Sequence, residues 1–229
     1  MSMIELKYFG HSSFLARING TEILFDPFIS PNPLASAIDI DAIQPKYILI
    51  THGHEDHVAD VERIAQNSAA MLVSNFEIVT WFQGKGIENV HPMNHGGSKE
   101  FDFGKVKYVN AIHSSTLPDG SPGGNPGGFV ISSEQGNFYF AGDTALTYDM
   151  KLIGDSYDID FAVLPIGDNF TMGIGDATKA ADFVGTDKIV GMHYDTFPYI
   201  EINKSAAIQM AQEAGKELYL PAIGESITL

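Results

Sequence analysis

Cysteine is absent from the 229-residue chain, which excludes disulfides and thiolate metal ligands but says little else about compartment. Basic residues are scarce, with 13 Lys and Arg against 29 Asp and Glu, a formal net charge of −16. A surface of that sign repels phosphate backbones and makes nucleic acid a poor partner. Bound divalent cations would reverse the field locally, so an anionic small molecule at a metal site stays open. The run Met1-Ser2-Met3-Ile4-Glu5-Leu6 has no basic n-region and no long apolar stretch, so no signal peptide is expected. No apolar run approaches the length of a membrane span. The expectation is a soluble cytoplasmic protein with a small-molecule substrate and neither a nucleic-acid nor a membrane partner; assembly into a homo-oligomer stays open.

What the chain does have is length and apolar content. With 229 residues, 44% of them hydrophobic, it can bury a sizeable core without staples, and a single domain over residues 1–229 is expected. Its densest chemistry is Thr51-His52-Gly53-His54-Glu55-Asp56-His57, three imidazoles and two carboxylates in seven residues. This run follows Tyr47-Ile48-Leu49-Ile50, which reads as a buried strand. A loop at a strand end lets a rigid sheet aim several side chains at one point. Imidazole with carboxylate suits borderline divalent ions such as Zn²⁺, Mn²⁺ or Fe²⁺. The plain alternative is a solvated, His-rich loop.

Along the chain, Ile4 to Phe9, Ser13 to Ile18 and Glu22 to Phe25 read as strands, with Asn19-Gly20 a hairpin turn. Helical spacing covers Val58 to Gln66, and a second helix runs from an Asn75 cap to Phe82. The middle is β again: Val90–Met93, Lys99–Phe103, Val106–Ile112, Phe129–Ser133 and Phe138–Ala141. A Gly/Pro-rich loop at 118–127 interrupts it, either as a lid or as a mobile connection without function. Helices at 145–153, 176–184 (capped by Asp176) and 204–214 then alternate with strands at 160–165, 188–192 and 217–220. The order β, α/β, β, α/β suggests two similar halves, each a mixed sheet with helices on one side. Packed sheet to sheet, they make an α/β fold, a four-layer αββα sandwich with the helices outside.

Three further residues stand just past apolar strands: His113, Asp143 and His193. Singly, Asp143 could be a helix cap and the two histidines satisfied core residues. Together with H-x-H-x-D-H those readings lose ground.

In this order, H-x-H-x-D-H, a strand-end His, the Asp of G-D-T and a last strand-end His resemble the ligand motifs of the metallo-β-lactamase superfamily across the whole chain. A closer likeness is to its small branch of metal-dependent hydrolases related to L-ascorbate-6-phosphate lactonases. That likeness rests on Gly10-His11-Ser12-Ser13, Phe25-Asp26-Pro27-Phe28, His91-Pro92-Met93, Phe101–Val106, Ala141–Leu146 and Leu164–Gly173. The resemblance implies two divalent ions, zinc first with manganese or iron as alternatives. His52, His54 and His113 would hold one ion, Asp56, His57 and His193 the other, and Asp143 would bridge them. It also implies hydrolysis of a small ester, lactone or phosphodiester by a bridging hydroxide. Asp143 stands where true β-lactamases of the superfamily often have Cys, which favours the bridging-carboxylate hydrolases.

Around the metals, Asp56 is expected to take up the nucleophile's proton and His11 to contact substrate or donate a proton. Asp26 is either an acceptor for a ligand imidazole or a turn cap. Tyr194 is a candidate for stabilising the oxyanion, and Ser114, Asn169, Thr171 and Thr196 are candidate substrate contacts. The competing readings are a di-iron or mono-iron redox enzyme on the same fold and a non-enzymatic metal-binding sensor. His54 stands where di-iron relatives usually place Glu, which weighs against the first. The complete ligand set weighs against the second.

Overall fold

The computed structural model describes residues 3–229. Its chain opens as an antiparallel meander of β1 (Glu5–Gly10), β2 (Ser13–Ile18) and β3 (Thr21–Phe25). Asn19 and Gly20 turn β2 into β3 with left-handed backbones (φ 51° and 77°), the geometry that matches strand twist in a two-residue hairpin. The sheet then continues in parallel through β4 (Tyr47–Leu49), β5 (Met71–Asn75) and β6 (Val90–Met93). Helices α1 (Glu55–Val58), α2 (Val61–Ser68) and α3 (Phe76–Gln83) lie in the connections.

The second half repeats this plan. Strands β7 (Ser98–Phe101), β8 (Gly104–Asn110), β9 (Gly127–Ser133) and β10 (Gly136–Phe140) are antiparallel. Parallel strands β11 (Phe161–Pro165), β12 (Lys188–Met192) and β13 (Glu217–Tyr219) follow. Helices α4 (Met150–Gly154), α5 (Ile174–Val184) and α6 (Lys204–Glu213) separate them. A short β14 (Ser226–Thr228) returns to pair with β1. Each sheet has seven strands, in the orders β14-β1-β2-β3-β4-β5-β6 and β13-β12-β11-β10-β9-β8-β7.

The two sheets bury phenylalanine against phenylalanine. Phe25 stacks on Phe140 at 4.4 Å between ring centroids and meets Phe129 and Phe138 edge-on, geometries that aromatic quadrupoles favour. Outside the first sheet, Val61, Ile64, Ile78 and Phe82 of α2 and α3 cover Ile48 and Leu72. Outside the second, Ala177, Ala180, Ala181 and Val184 of α5 bury with Val163 and Val190. Small residues on α5 let the helix approach the sheet closely. The result is the expected four-layer αββα sandwich of two mixed sheets.

Several element boundaries differ from expectation, each for a tertiary reason. The helix expected at 58–66 is two helices parted at Asp60. Its buried carboxylate accepts from the Ile29 and Ser30 amides at 2.6 and 2.8 Å, and its own amide donates to the Pro27 carbonyl. The helix expected from Ala145 begins only at Met150, because the Ala145 amide is committed to the Ile112 carbonyl at 3.1 Å. Helix α5 starts at Ile174 with Gly173, not Asp176, at its cap. Strand β8 stops at Asn110, so His113 sits in a loop rather than at the strand's last pair. Strand β14 had no signal in three residues of mixed polarity; pairing with β1 alone makes it a strand. The 118–127 loop is tethered to its neighbours rather than loose. Asn75 Nδ2 donates to the Gly123 and Asn125 carbonyls, Trp81 Nε1 to Asp119, and the Gly127 amide to the Thr51 carbonyl.

Candidate metal centre

The His-rich run leaves β4 at Leu49 and is pinned at once. The Ile50 amide donates to the Val73 carbonyl, Ser74 Oγ donates back to the Ile50 carbonyl, and the Gly53 amide donates to Ser115 Oγ. His54 is the N-cap of α1, which places Asp56 and His57 in the first helical turn. Gly142 has φ 62° and lies so close to Thr51 that a Cβ would stand 2.6 Å from the threonine Cβ. Only glycine lets these two loops meet, and the meeting delivers Asp143 to the histidines.

The other contributors arrive from strand ends tied to one another. The His193 amide donates to the His11 carbonyl at 2.8 Å, and both residues take a left-handed backbone with φ 55°. Such φ values are uncommon outside glycine, and they concentrate at functional sites where the surroundings hold them. The Ile112 amide donates to Thr144 Oγ1 at 3.0 Å, which locks the His113 loop beside Asp143.

The side chains gather in two groups that share a seam. His52, His54 and His113 offer ligand atoms within 4.8 Å of one another, and so do His11, Asp56, His57 and His193. Asp143 reaches both groups: its carboxylate lies 3.5 Å from His113 Nε2, 3.4 Å from His57 Nε2 and 2.9 Å from His193 Nε2. The seven expected ligands are therefore brought together, with Asp143 between the sets.

A buried carboxylate orients both groups from behind. Asp26 is fully buried and accepts from His57 Nδ1 at 2.8 Å, from the Thr51 amide at 2.8 Å and from Thr51 Oγ1 at 2.7 Å. Thr51 Oγ1, its proton given to Asp26, faces His52 Nδ1 at 3.1 Å. Both imidazoles thus hold a proton on Nδ1 and point Nε2 inward, so that an ion displacing any proton there meets the lone pair a metal ligand needs.

These groups suit cations. His57 Nε2, Asp143 Oδ1 and His193 Nδ1 are buried without a hydrogen-bond partner among the described residues, a cost proteins rarely bear. Lone pairs of His57 and carboxylate oxygens of Asp143 aimed at each other repel unless something positive lies between them. Without an ion, protons take that place. Burial opposes charge on His193, but the Asp143 carboxylate wins and pushes it up to about 9. His57 is likewise buried yet held well above its ordinary value by Asp143, Asp26 and Asp56. Asp143 is held low, against its burial, by His193 and His57. His52, His54 and His113 are all lowered, first by burial, and so present neutral imidazoles.

The cluster opens into a pocket of about 190 Å³ lined by His54, Asp56, His113, Ser114, Asp143, Phe170, His193 and Phe197. A larger open depression of about 530 Å³ beside Phe101 and Ser132 carries no histidine and lies elsewhere. Ser114 lines the metal pocket as expected, its hydroxyl 3.2 Å from His54 Nε2.

Other expected contacts fall elsewhere. Tyr194 is buried against Tyr8, ring centroids 6.2 Å apart, and lines a separate small cavity, while the left-handed turn at His193 carries that imidazole to the metal side. Asn169 and Thr171 are absent from the pocket wall; Phe170 between them is on it. Thr196 is not on the wall either, and its Oγ1 lies 3.0 Å from His11 Nδ1. His11 itself is 1% exposed, sits outside the wall, and places Nε2 3.0 Å from Asp56 Oδ2. Burial pushes it down to about 4, so it is neutral at pH 7. Sequence reasoning reads the loop that carries Phe170 as substrate-facing but singles out its polar members, and it passes over Phe197, whose only sequence signal is apolar bulk close to His193.

The profile of the family described as Beta-lactamase superfamily domain matches residues 5–193. The chain belongs to that superfamily. It is 58% identical over 226 residues to the UPF0173 metal-dependent hydrolase of Flavobacterium johnsoniae, covering 99% of this chain and 100% of that one. The structure of Igni18, a metallo hydrolase from Ignicoccus hospitalis, superposes with a TM-score of 0.89 at 33% identity over 99% of this chain and 98% of that one. The metallo-β-lactamase fold protein YhfI from Bacillus subtilis shares only 12% identity, yet its TM-score is 0.77 over the full length of both chains, a likeness of fold. The superfamily's sandwich thus holds this cluster where the two sheets' strand ends meet.

Proposed function

We propose that the chain is a hydrolase that works with two divalent metal ions on a small ester, lactone or phosphodiester. The observation that carries this reading is the pair of convergent ligand groups with the Asp143 carboxylate between them. His52, His54 and His113 would hold one ion, Asp56, His57 and His193 the other, and Asp143 both; imidazole and carboxylate donors without thiolate favour zinc, with manganese or iron as alternatives. Such an ion pair supplies Lewis acidity toward a carbonyl or phosphoryl oxygen and lowers the pKa of bound water toward neutrality.

The protein's own part follows from its contacts. Asp56 lines the pocket and its Oδ2 is held by His11 at 3.0 Å. Its pKa stays low despite burial, through His57 and the bond from His11, so the carboxylate is ionised and ready to bind an ion. Ser114 Oγ, on the wall beside His54, can orient the substrate's polar atoms. The relatives' names as metal-dependent hydrolases support the reading.

The test is His54→Ala and Asp143→Asn, each purified without chelator, with elemental analysis beside a lactone, ester and phosphodiester panel. Metal content should fall from about two ions toward one in His54→Ala. In Asp143→Asn both metal binding and turnover should be lost. Unchanged metal content and turnover in both variants would sink the assignment.

A further inference from the structure

The pocket above the metal cluster has a polar floor and two aromatic walls. Phe170 and Phe197 are its apolar members, and no lysine or arginine lines it among the described residues. Lys204, the basic residue that follows the Phe197 loop, is bound to Asp195 at 3.1 Å and lies 5.3 Å over the Tyr194 ring. A charge on the substrate held between the phenylalanines, away from the metal floor, would find no lysine or arginine partner and would lose hydration, a cost a neutral group avoids.

Both phenylalanines are presented rather than left over. Phe170 is 51% exposed, at the tip of a loop whose Asp168 and Asn169 are both left-handed (φ 60° and 56°). The loop closes on itself through the Asp168 amide to the Met172 carbonyl, and the Met172 amide ties it to Thr144 beside Asp143. At its base a Cβ on Gly167 would run into the His193 carbonyl oxygen and press on Ile200. The loop is therefore packed at its base against both His193 and the segment that follows Phe197. Phe197 is held in turn: the Ile200 amide donates to its carbonyl, the Asp195 amide to the Ile200 carbonyl, and its ring rests 6.1 Å from buried Phe28. Two closed loops hold large apolar rings at the mouth of a cavity of about 190 Å³, room for roughly ten to fifteen non-hydrogen atoms by the dimensions of close-packed organic matter.

Building on the proposed hydrolase reading, we propose that Phe170 and Phe197 form a specificity clamp for the non-reacting part of the substrate. That part is a compact, uncharged, apolar or aromatic group, while the hydrolysable bond lies on the metal floor. Aromatic walls recognise such a group by buried area and ring contact.

The experiment varies only the remote group. Ethyl acetate, ethyl phenylacetate and ethyl 4-carboxyphenylacetate share one reacting ester, and kcat/KM is measured on the full, metal-loaded chain. Ethyl phenylacetate should be preferred to both others. Phe170→Ala and Phe197→Ala should each cut its preference over ethyl acetate by at least about tenfold, with metal content and melting temperature unchanged, and Phe170→Leu should restore most of it. Preference for the carboxylated ester, or a ratio untouched in Phe170→Ala, overturns the clamp. So does a change of sedimentation mass in Phe170→Ala without a change in ratio, which would make Phe170 a contact between copies. Saturation-transfer NMR with 2-phenylacetamide and acetamide separates the two levels. If no ester is turned over but 2-phenylacetamide binds wild type and not Phe170→Ala, the clamp stands and ester hydrolysis falls; if neither amide binds, the clamp falls.

Discussion

Asp26 takes a left-handed backbone, φ 42°, at the end of β3, and this turns its carboxylate under both ligand groups. It fixes His57 directly and His52 through Thr51, so one side chain sets the tautomers on both sides of the seam. Asp26→Asn keeps the shape but replaces one acceptor oxygen with an NH₂ donor. Chelator competition should show metal affinity reduced about 10- to 100-fold, and affinity within twofold of wild type would mean the imidazoles orient themselves. Tyr194 gives the opposite expectation. Because its hydroxyl lies with Tyr8 away from the pocket, Tyr194→Phe should leave kcat/KM within about twofold across the substrate panel; a hundredfold loss would restore an oxyanion role.

At the scale of elements, the Gly/Pro-rich loop and α3 hold the metal run in place together. Asn75 caps α3 by accepting from the Ile78 amide at 2.9 Å, while its Nδ2 holds the Gly123 and Asn125 carbonyls. Gly123 packs beside Gly53 of the metal run. Asn75→Ala removes a cap worth about 1 kcal/mol and leaves buried carbonyls short of a donor, so destabilisation of about 2–3 kcal/mol is expected. Denaturant unfolding measures it. A loss below about 0.5 kcal/mol would show the loop to be held by its other contacts. Asn75→Asp keeps the cap and removes the amide donors, and so isolates the loop's share.

At the scale of the molecule, two β-then-α/β halves meet face to face, and the strand ends of both supply ligands to one seam. That seam concentrates carboxylates in a chain already at −16, and protons hold it together when metal is absent. His193 is raised to about 9 and His57 is raised as well, so His193 is protonated at pH 7 in the metal-free protein and must release its proton to bind an ion. Metal affinity should therefore rise with pH from 7 toward 9. Titration calorimetry in buffers of different ionisation enthalpy should record protons released at pH 7; no buffer dependence would contradict this. For folding without metal the signs are opposed. His193, raised from 6.5, contributes stability that is full below pH 6.5 and lost as pH climbs through about 9. His11, depressed to about 4 by burial, penalises folding as pH falls from 6.5 toward 4. Melting of chelated protein should peak near pH 6.5, and metal should raise the melting temperature most on the alkaline side.

The kinds of chemistry and the layer plan were legible in the residues. A contiguous run such as His52–His57 places its donors by local geometry, and alternating apolar runs declare their own strands. Tertiary structure decided everything set by partners far along the chain: β14 through its pairing with β1, the split at Asp60 through the Pro27–Ser30 segment, and the tethering of the 118–127 loop through Asn75 and Trp81. It also decided which neighbour of a motif faces the pocket. Phe170 stands there instead of Asn169 and Thr171, and His193 instead of Tyr194, because adjacent side chains diverge and left-handed turns at His11, Asp168 and His193 aim them. A backbone rotation held by distant hydrogen bonds leaves almost no mark on the residues beside it.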